Sequence, residues 1–169
     1  MRALLLALAL TVAAQAQADG RTVHRVDRLA LALPDAFEPW TNDGNDLGGG
    51  VSVYGFTNVA TGEYAILTVY RELSWWRRVR HARGWGVRRQ HPQFTFRDVE
   101  PGALGLSAAF SDVVGTAHLF SDSGTDVGLG LRGCDGPWCF LLSVSGPGDG
   151  DPASGLRYAD FFADARVLR

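Results

Sequence analysis

The sequence predicts an α+β domain built on a single, mainly antiparallel β-sheet with about two flanking helices. Three observations carry this. Short apolar-alternating segments recur along the chain, glycine and aspartate turns separate them, and two stretches switch to helical spacing. The connections are mostly too short for a parallel crossover, which needs a dozen or more residues, so neighbouring strands are expected to run antiparallel.

The first element is not part of that fold. Residues Met1 to Ala18 place a positive charge at Arg2, an apolar run over Ala3 to Ala14 and small residues at Ala16 and Ala18. This is the layout of a cleavable secretory signal, with residues 19–169 expected to form one globular domain. The apolar run is shorter than the roughly 20 residues that span a bilayer, and no comparable run follows, so the mature chain is expected to have no transmembrane segment. A periplasmic or secreted location follows from the signal.

The strands are expected in order. Thr22 to Leu33 ends with Leu29, Leu31 and Leu33 on one side and stops at Pro34-Asp35. Val51 to Thr57 and Tyr64 to Tyr70 are joined by a turn at Thr61-Gly62-Glu63 that suits a hairpin. Phe94 to Val99, Leu104 to Phe110, Thr116 to Phe120, Val127 to Leu131 and Trp138 to Ser145 follow, and Arg166 to Leu168 closes the sheet.

Two helices are expected. In the first, Ser74 caps a segment running to Arg83, with Trp75, Val79 and Ala82 on its apolar face and Gly84-Trp85-Gly86 ending it. In the second, Asp151 caps a helix with Pro152 at its first position and an apolar stripe of Leu156, Ala159, Phe162 and Ala163. The passages LALALPDAFEPW, Leu29 to Trp40, and YADFFADARVL, Tyr158 to Leu168, resemble the opening and closing segments of PsbP-like α/β/α sandwich domains. That resemblance implies a central antiparallel sheet flanked by helices, in a family serving mostly as assembly or accessory factors. It carries over no functional residue.

Two groups of side chains bear on function. Cys134 and Cys139 enclose the turn-forming Asp135-Gly136-Pro137-Trp138, and an even cysteine count in an exported chain points to a structural disulfide. A catalytic dithiol prefers a two-residue spacing and a helix start, and neither is present. Between Ser74 and Arg97 the chain carries seven arginines and no acid, whereas the rest of residues 19–169 carries eight arginines against all eighteen acids. Every base is arginine, a uniform choice that is compositional and carries no positional information.

Trp76, Arg77, Arg80, Arg83, Trp85 and Arg88 are therefore candidate binding residues for an anionic partner, either an envelope protein or an anionic surface. The ordinary alternative is that these arginines pair with the domain's own surplus carboxylates while the tryptophans join the core.

Other chemistry finds little support. The formal net charge of −2 and the absence of a recognisable module argue against nucleic acid. Asn42 to Asp46 carries oxygen donors but lacks the spacing of a calcium loop and reads as a turn, so no metal or cofactor is expected. His24, His81, His91 and His118 are scattered, and no G-x-S-x-G elbow occurs. His118 is expected at the surface or the edge of the core. The leading expectation is a non-catalytic binding or accessory protein of the envelope. The alternatives are a small hydrolase in which His118 or His91 meets a carboxylate, and a structural domain of a larger assembly.

Overall fold

The computed structural model describes residues 20–40, 45–106, 113–122 and 125–168. The proposed signal lies outside them, as do Asn42 to Gly44 of the acidic loop and residues 107–110 of the strand expected from Leu104. The secondary structure is mostly β, in an α+β arrangement. Its strands form two sheets instead of the expected one.

The smaller sheet contains β1 (Arg21–Val26), β2 (Leu29–Pro34) and β11 (Arg166–Val167), with β2 in the middle. The expected strand from Thr22 to Leu33 is in fact this β1–β2 hairpin. Its two-residue turn is Asp27-Arg28, with Asp27 at φ 52°, a left-handed conformation that aspartate tolerates. The Asp27 carboxylate repays the strain by accepting hydrogen bonds from Trp138 Nε1 at 3.0 Å and from Arg71. Arg28 pairs with Asp135 at 2.5 Å and lies over the Trp138 ring. The turn is thus fastened to the tip of another hairpin more than a hundred residues away.

The larger sheet runs β3 (Glu38–Pro39), β5 (Val51–Asn58), β6 (Glu63–Tyr70), β10 (Trp138–Pro147), β9 (Asp126–Asp135), β8 (Val114–Ser121) and β7 (Thr95–Val99), with β4 (Asn45–Gly48) on β5. Every pairing in both sheets is antiparallel. Alternation gives the larger sheet two unlike faces. Leu67, Val69, Leu119, Leu129, Leu131, Phe140, Leu142 and Val144 point to one side. There they form one apolar cluster with Leu29, Leu31 and Leu33 of β2 and with Tyr158 and Phe162.

The C-terminal segment completes that core as a 3-10 helix (Pro152–Tyr158) followed by a single α-turn (Asp160–Ala163), not as the continuous α-helix the apolar spacing predicted. The cap is as expected, with Asp151 accepting from Ala153 N at 2.9 Å. Gly155 explains the tight helix, because a Cβ there would sit 2.3 Å from the Gly128 carbonyl oxygen. The 3-10 geometry turns Leu156 outward, so it leaves the predicted stripe while Phe162 is fully buried.

The opposite face of the larger sheet is covered only in part. Helix α1 (Trp75–Ala82) crosses one end, and the chain continues through Gly84 and Gly86, both at positive φ, into α2 (Val87–Gln90). Ser74 holds the N-cap position of α1 without a side-chain cap bond. Below the helix, Cys134 and Cys139 stand directly opposite each other on β9 and β10 and are disulfide-bonded.

A bridge closing so short a loop contributes about 2 kcal/mol through the unfolded chain. Urea unfolding with and without reductant should differ by that amount. Coincident curves would show that the hairpin is held entirely by its ladder and by the Asp27 contacts.

Candidate functional site

The partly covered face collects the chemistry. Its cross-strand rows are set by register, with Ile66, Ser143, Gly130 and His118 in one row, and Tyr64, Ser145, Gly128, Phe120 and Phe96 in the next. The third row passes through Thr68, Leu141, Arg132 and Thr116. The glycines of β9 are required by the rings beside them. A Cβ on Gly130 would lie 2.7 Å from His118 Nε2, and one on Gly128 would lie 2.3 Å from Phe120 Cζ. The aromatic wall continues through edge contacts of Phe94 with Phe120 at 5.5 Å and of Phe96 with His118 at 5.5 Å.

Between this wall and the 83–94 arm lies a cavity of about 350 Å³. Its sides include Ile66, Val87, Phe94, Phe96, Phe120 and Leu141, with Tyr64, His91, His118, Arg132, Ser143 and Ser145 supplying polar groups. A neighbouring cavity of about 330 Å³ is lined by Tyr70, Leu73, Arg77, Arg80, His81, Trp85, Gln90 and, again, Arg132. Arg132 stands where the two meet.

Helix α1 is held over this face by polar contacts to the strands. His81 Nε2 lies 2.7 Å from the Phe140 carbonyl oxygen and donates to it, and Thr116 Oγ1 donates to the Ala82 carbonyl. The His81 ring also meets Tyr70 edge-on at 5.0 Å. Burial lowers the His81 pKa, and the hydrogen bond to Phe140 opposes the shift.

The candidate residues fall into two groups. Trp76, Arg77, Arg80 and Trp85 gather at the outer end of α1, where Trp76 meets Trp75 at 5.9 Å and Trp85 at 6.0 Å. Arg83 lies over the Trp85 ring at 5.7 Å. Arg88 is set apart, paired with Asp98 at 3.1 Å and lining a third pocket with Phe96 and His118.

The tryptophans do not join the core. Trp75, Trp76 and Trp85 are 66%, 52% and 48% exposed, which reverses the expected placement of Trp75 on the buried face of α1. Internal pairing also fails as the general fate of these arginines. Among the described residues, the Arg88–Asp98 bridge is the one ion pair this segment makes with a carboxylate.

His118 is buried, not at the surface, and its pKa falls to about 4 through desolvation, then Arg132, then His91. Of the two acids nearest His118 in the sequence that it could have faced, Asp122 accepts the backbone N–H groups of Thr125 and Asp126, and Asp112 lies outside the described residues. Among the described residues, no group of His, Cys, Asp and Glu side chains converges to hold a metal ion.

Arg132, Phe94 and Phe120 were not anticipated as site residues. One signal existed for Arg132. In the run Gly128-Leu-Gly-Leu-Arg-Gly133, strand alternation sets Arg132 on the glycine side, away from Leu129 and Leu131.

No protein-family model matches the chain, and no curated protein matches it in sequence. Solved structures do match. A point mutant of protein Mog1 is 12% identical with a TM-score of 0.53, covering 88% of this chain and 96% of its own. A protein from Bacteroides thetaiotaomicron is 11% identical with a TM-score of 0.45, covering 84% of this chain and 46% of its own. The Mog1 likeness concerns the fold alone. It also overturns the expected kinship with PsbP-like domains, since the fold it matches is that of Mog1 instead. The terminal segments that suggested PsbP carry a pattern any strand or turn packed on a core produces, with Leu29, Leu31, Leu33, Phe162 and Val167 buried.

The low pKa of His118 has a measurable consequence. Between pH 6.5 and about 4 the unfolded chain binds a proton that the folded chain refuses. The stability from a neutral His118 is therefore complete above pH 6.5 and is lost as pH falls towards 4, by about 3 kcal/mol. Denaturation of His118→Phe should show a loss between pH 7 and pH 4 that is smaller by about that amount. Parallel curves for variant and wild type would contradict the assignment.

Proposed function

We propose that the chain is an exported, non-catalytic binding protein whose α1 surface docks on an anionic surface of the cell envelope. The observation that carries this reading is the row of three exposed tryptophans, Trp75 and Trp85 each in ring contact with Trp76, beside Arg77, Arg80 and Arg83. Amphipathic rings and long cationic stems placed side by side suit the boundary between lipid headgroups and acyl chains. The excess of acids elsewhere would turn this end of the molecule towards negative charge. Export is supported by the signal-like residues 1–18 and by the disulfide. Among the described residues, no helix is long and apolar enough to cross a membrane.

A hydrolase is disfavoured because burial and then the Arg132 charge hold the His118 pKa down at about 4, too low for an effective general base near neutral pH.

Co-sedimentation tests the proposal. The protein should bind phosphatidylglycerol-containing vesicles and not vesicles of phosphatidylcholine alone, and should release as salt shortens the Debye length below about 10 Å. Each arginine at such a surface is worth about 1 kcal/mol, so Arg77→Glu, Arg80→Glu and Arg83→Glu together should weaken binding by about a hundredfold or more. Equal binding to both vesicle types, or none to either, would send the search to an acidic protein partner.

A further inference from the structure

Arg132 is the feature of this molecule that its own packing does not explain. The residue is only 8% exposed, and its Nε is sealed from solvent without a hydrogen-bond partner. Among the described residues its guanidinium makes no hydrogen bond and no ion pair. A buried arginine normally answers to a carboxylate, because desolvating an unpaired charge is expensive. Here the surroundings offer the reverse. His118 and His81 both have their pKa lowered by the Arg132 charge, and Arg77 and Arg80 share its second cavity. The opposing influence is Tyr70, a phenol whose own ionisation burial pushes further up. No carboxylate lines either cavity that Arg132 borders.

The larger of those two cavities has the make-up of a ligand pocket rather than of a packing flaw. At about 350 Å³ it sits at the small end of the usual range for such sites, roughly 300 to 1,000 Å³. Most of its wall is apolar or aromatic, and its polar groups are spread over all three strand rows, with Arg132 in the row at one side. It is open to solvent, and its wall includes the His118 and Phe120 rings seated over Gly130 and Gly128 of β9.

We propose that this cavity binds a small amphipathic carboxylic acid, its carboxylate held by the Arg132 guanidinium and its apolar body lying among Ile66, Phe94, Phe96 and Phe120. One permanent cation matches one negative charge, and the planar fork of the guanidinium matches the two oxygens of a carboxylate. His118, uncharged and adjacent, adds a ring wall without adding a second charge. Through Arg132 the site adjoins the cavity lined by Arg77, Arg80 and Trp85, but its own walls carry none of the exposed tryptophans.

Calorimetry on the purified protein tests this with two acids and their alcohols, decanoate with decanol and 3-phenylpropionate with 3-phenylpropanol. At least one acid should bind, and at least tenfold more tightly than its alcohol. A preference for decanoate identifies an aliphatic ligand, and a preference for 3-phenylpropionate an aromatic one. Arg132→Met, which replaces the buried charge with an apolar chain of similar length, should fold at least as stably as wild type. It should weaken acid binding by about tenfold to a hundredfold while leaving vesicle binding unchanged. Arg132→Lys keeps the charge without the fork and should fall between the two. The proposal is overturned if neither acid binds, if acids and alcohols bind alike, or if Arg132→Met binds the acids as wild type does. The wild-type comparison of acid with alcohol decides the matter even if the variants fail to fold.

Discussion

Everything distinctive in this molecule follows from the two unlike sides of β9. Leu129 and Leu131 point into the apolar cluster and are completely buried, while Gly128, Gly130 and Arg132 face the other way. The first side needs no more than complementary leucines from β2 and β10. The second side is filled differently: the His118 and Phe120 rings occupy the space over Gly130 and Gly128, and the Arg132 guanidinium resists apolar packing. What covers it is a short arginine-bearing helix and an irregular arm, fastened through His81 to Phe140 and through Thr116 to Ala82. The open space at the centre of the sheet is the result.

The arginine-rich segment serves that arrangement in two directions. Its inward side rests on the sheet with half-buried Val79, Ala82 and His81, beside the disulfide. Its outward side holds Trp75, Trp76, Arg77 and Arg83 in water. Exposing three indole rings is unfavourable for an isolated domain, so their retention beside unpaired cations is what gives the surface a functional reading. The cation density also reaches inward. Exposed Arg77 and Arg80 line the same cavity as buried Arg132, which makes this part of the covered face positive on a chain whose overall charge is slightly negative.

The legible parts of the structure were those set by local rules. Alternation placed Leu29, Leu31 and Leu33, the turn at Thr61-Gly62-Glu63 fell between β5 and β6, and α1 lay within a residue of where its spacing put it. The opposed cysteines followed from the turn between them. Non-local geometry was not legible. A hairpin turn at Asp27-Arg28 has no glycine to mark it and is held by Trp138 and Arg71 from distant strands. The C-terminal helix is tightened by the approach of Gly155 to β9, a contact invisible along the chain. The outward turn of Trp75 reflects how little of α1 the sheet can accept. Arg132 carried a periodic signal, but its burial comes from an arm some fifty residues earlier. Its importance therefore lay in contacts that spacing does not encode.

The central claim is that Arg132 is a buried cation whose missing partner is an exogenous anion. Nitrogen-15 spectra of the arginine Nε–H groups address it most directly, with the Arg132 signal assigned by its disappearance in Arg132→Lys. The Arg132 Nε–H is predicted to exchange slowly with water in the free protein and to shift when an amphipathic carboxylate is added, while the exposed arginines stay put. A rapidly exchanging Arg132 signal, or one that no carboxylate moves, would contradict it.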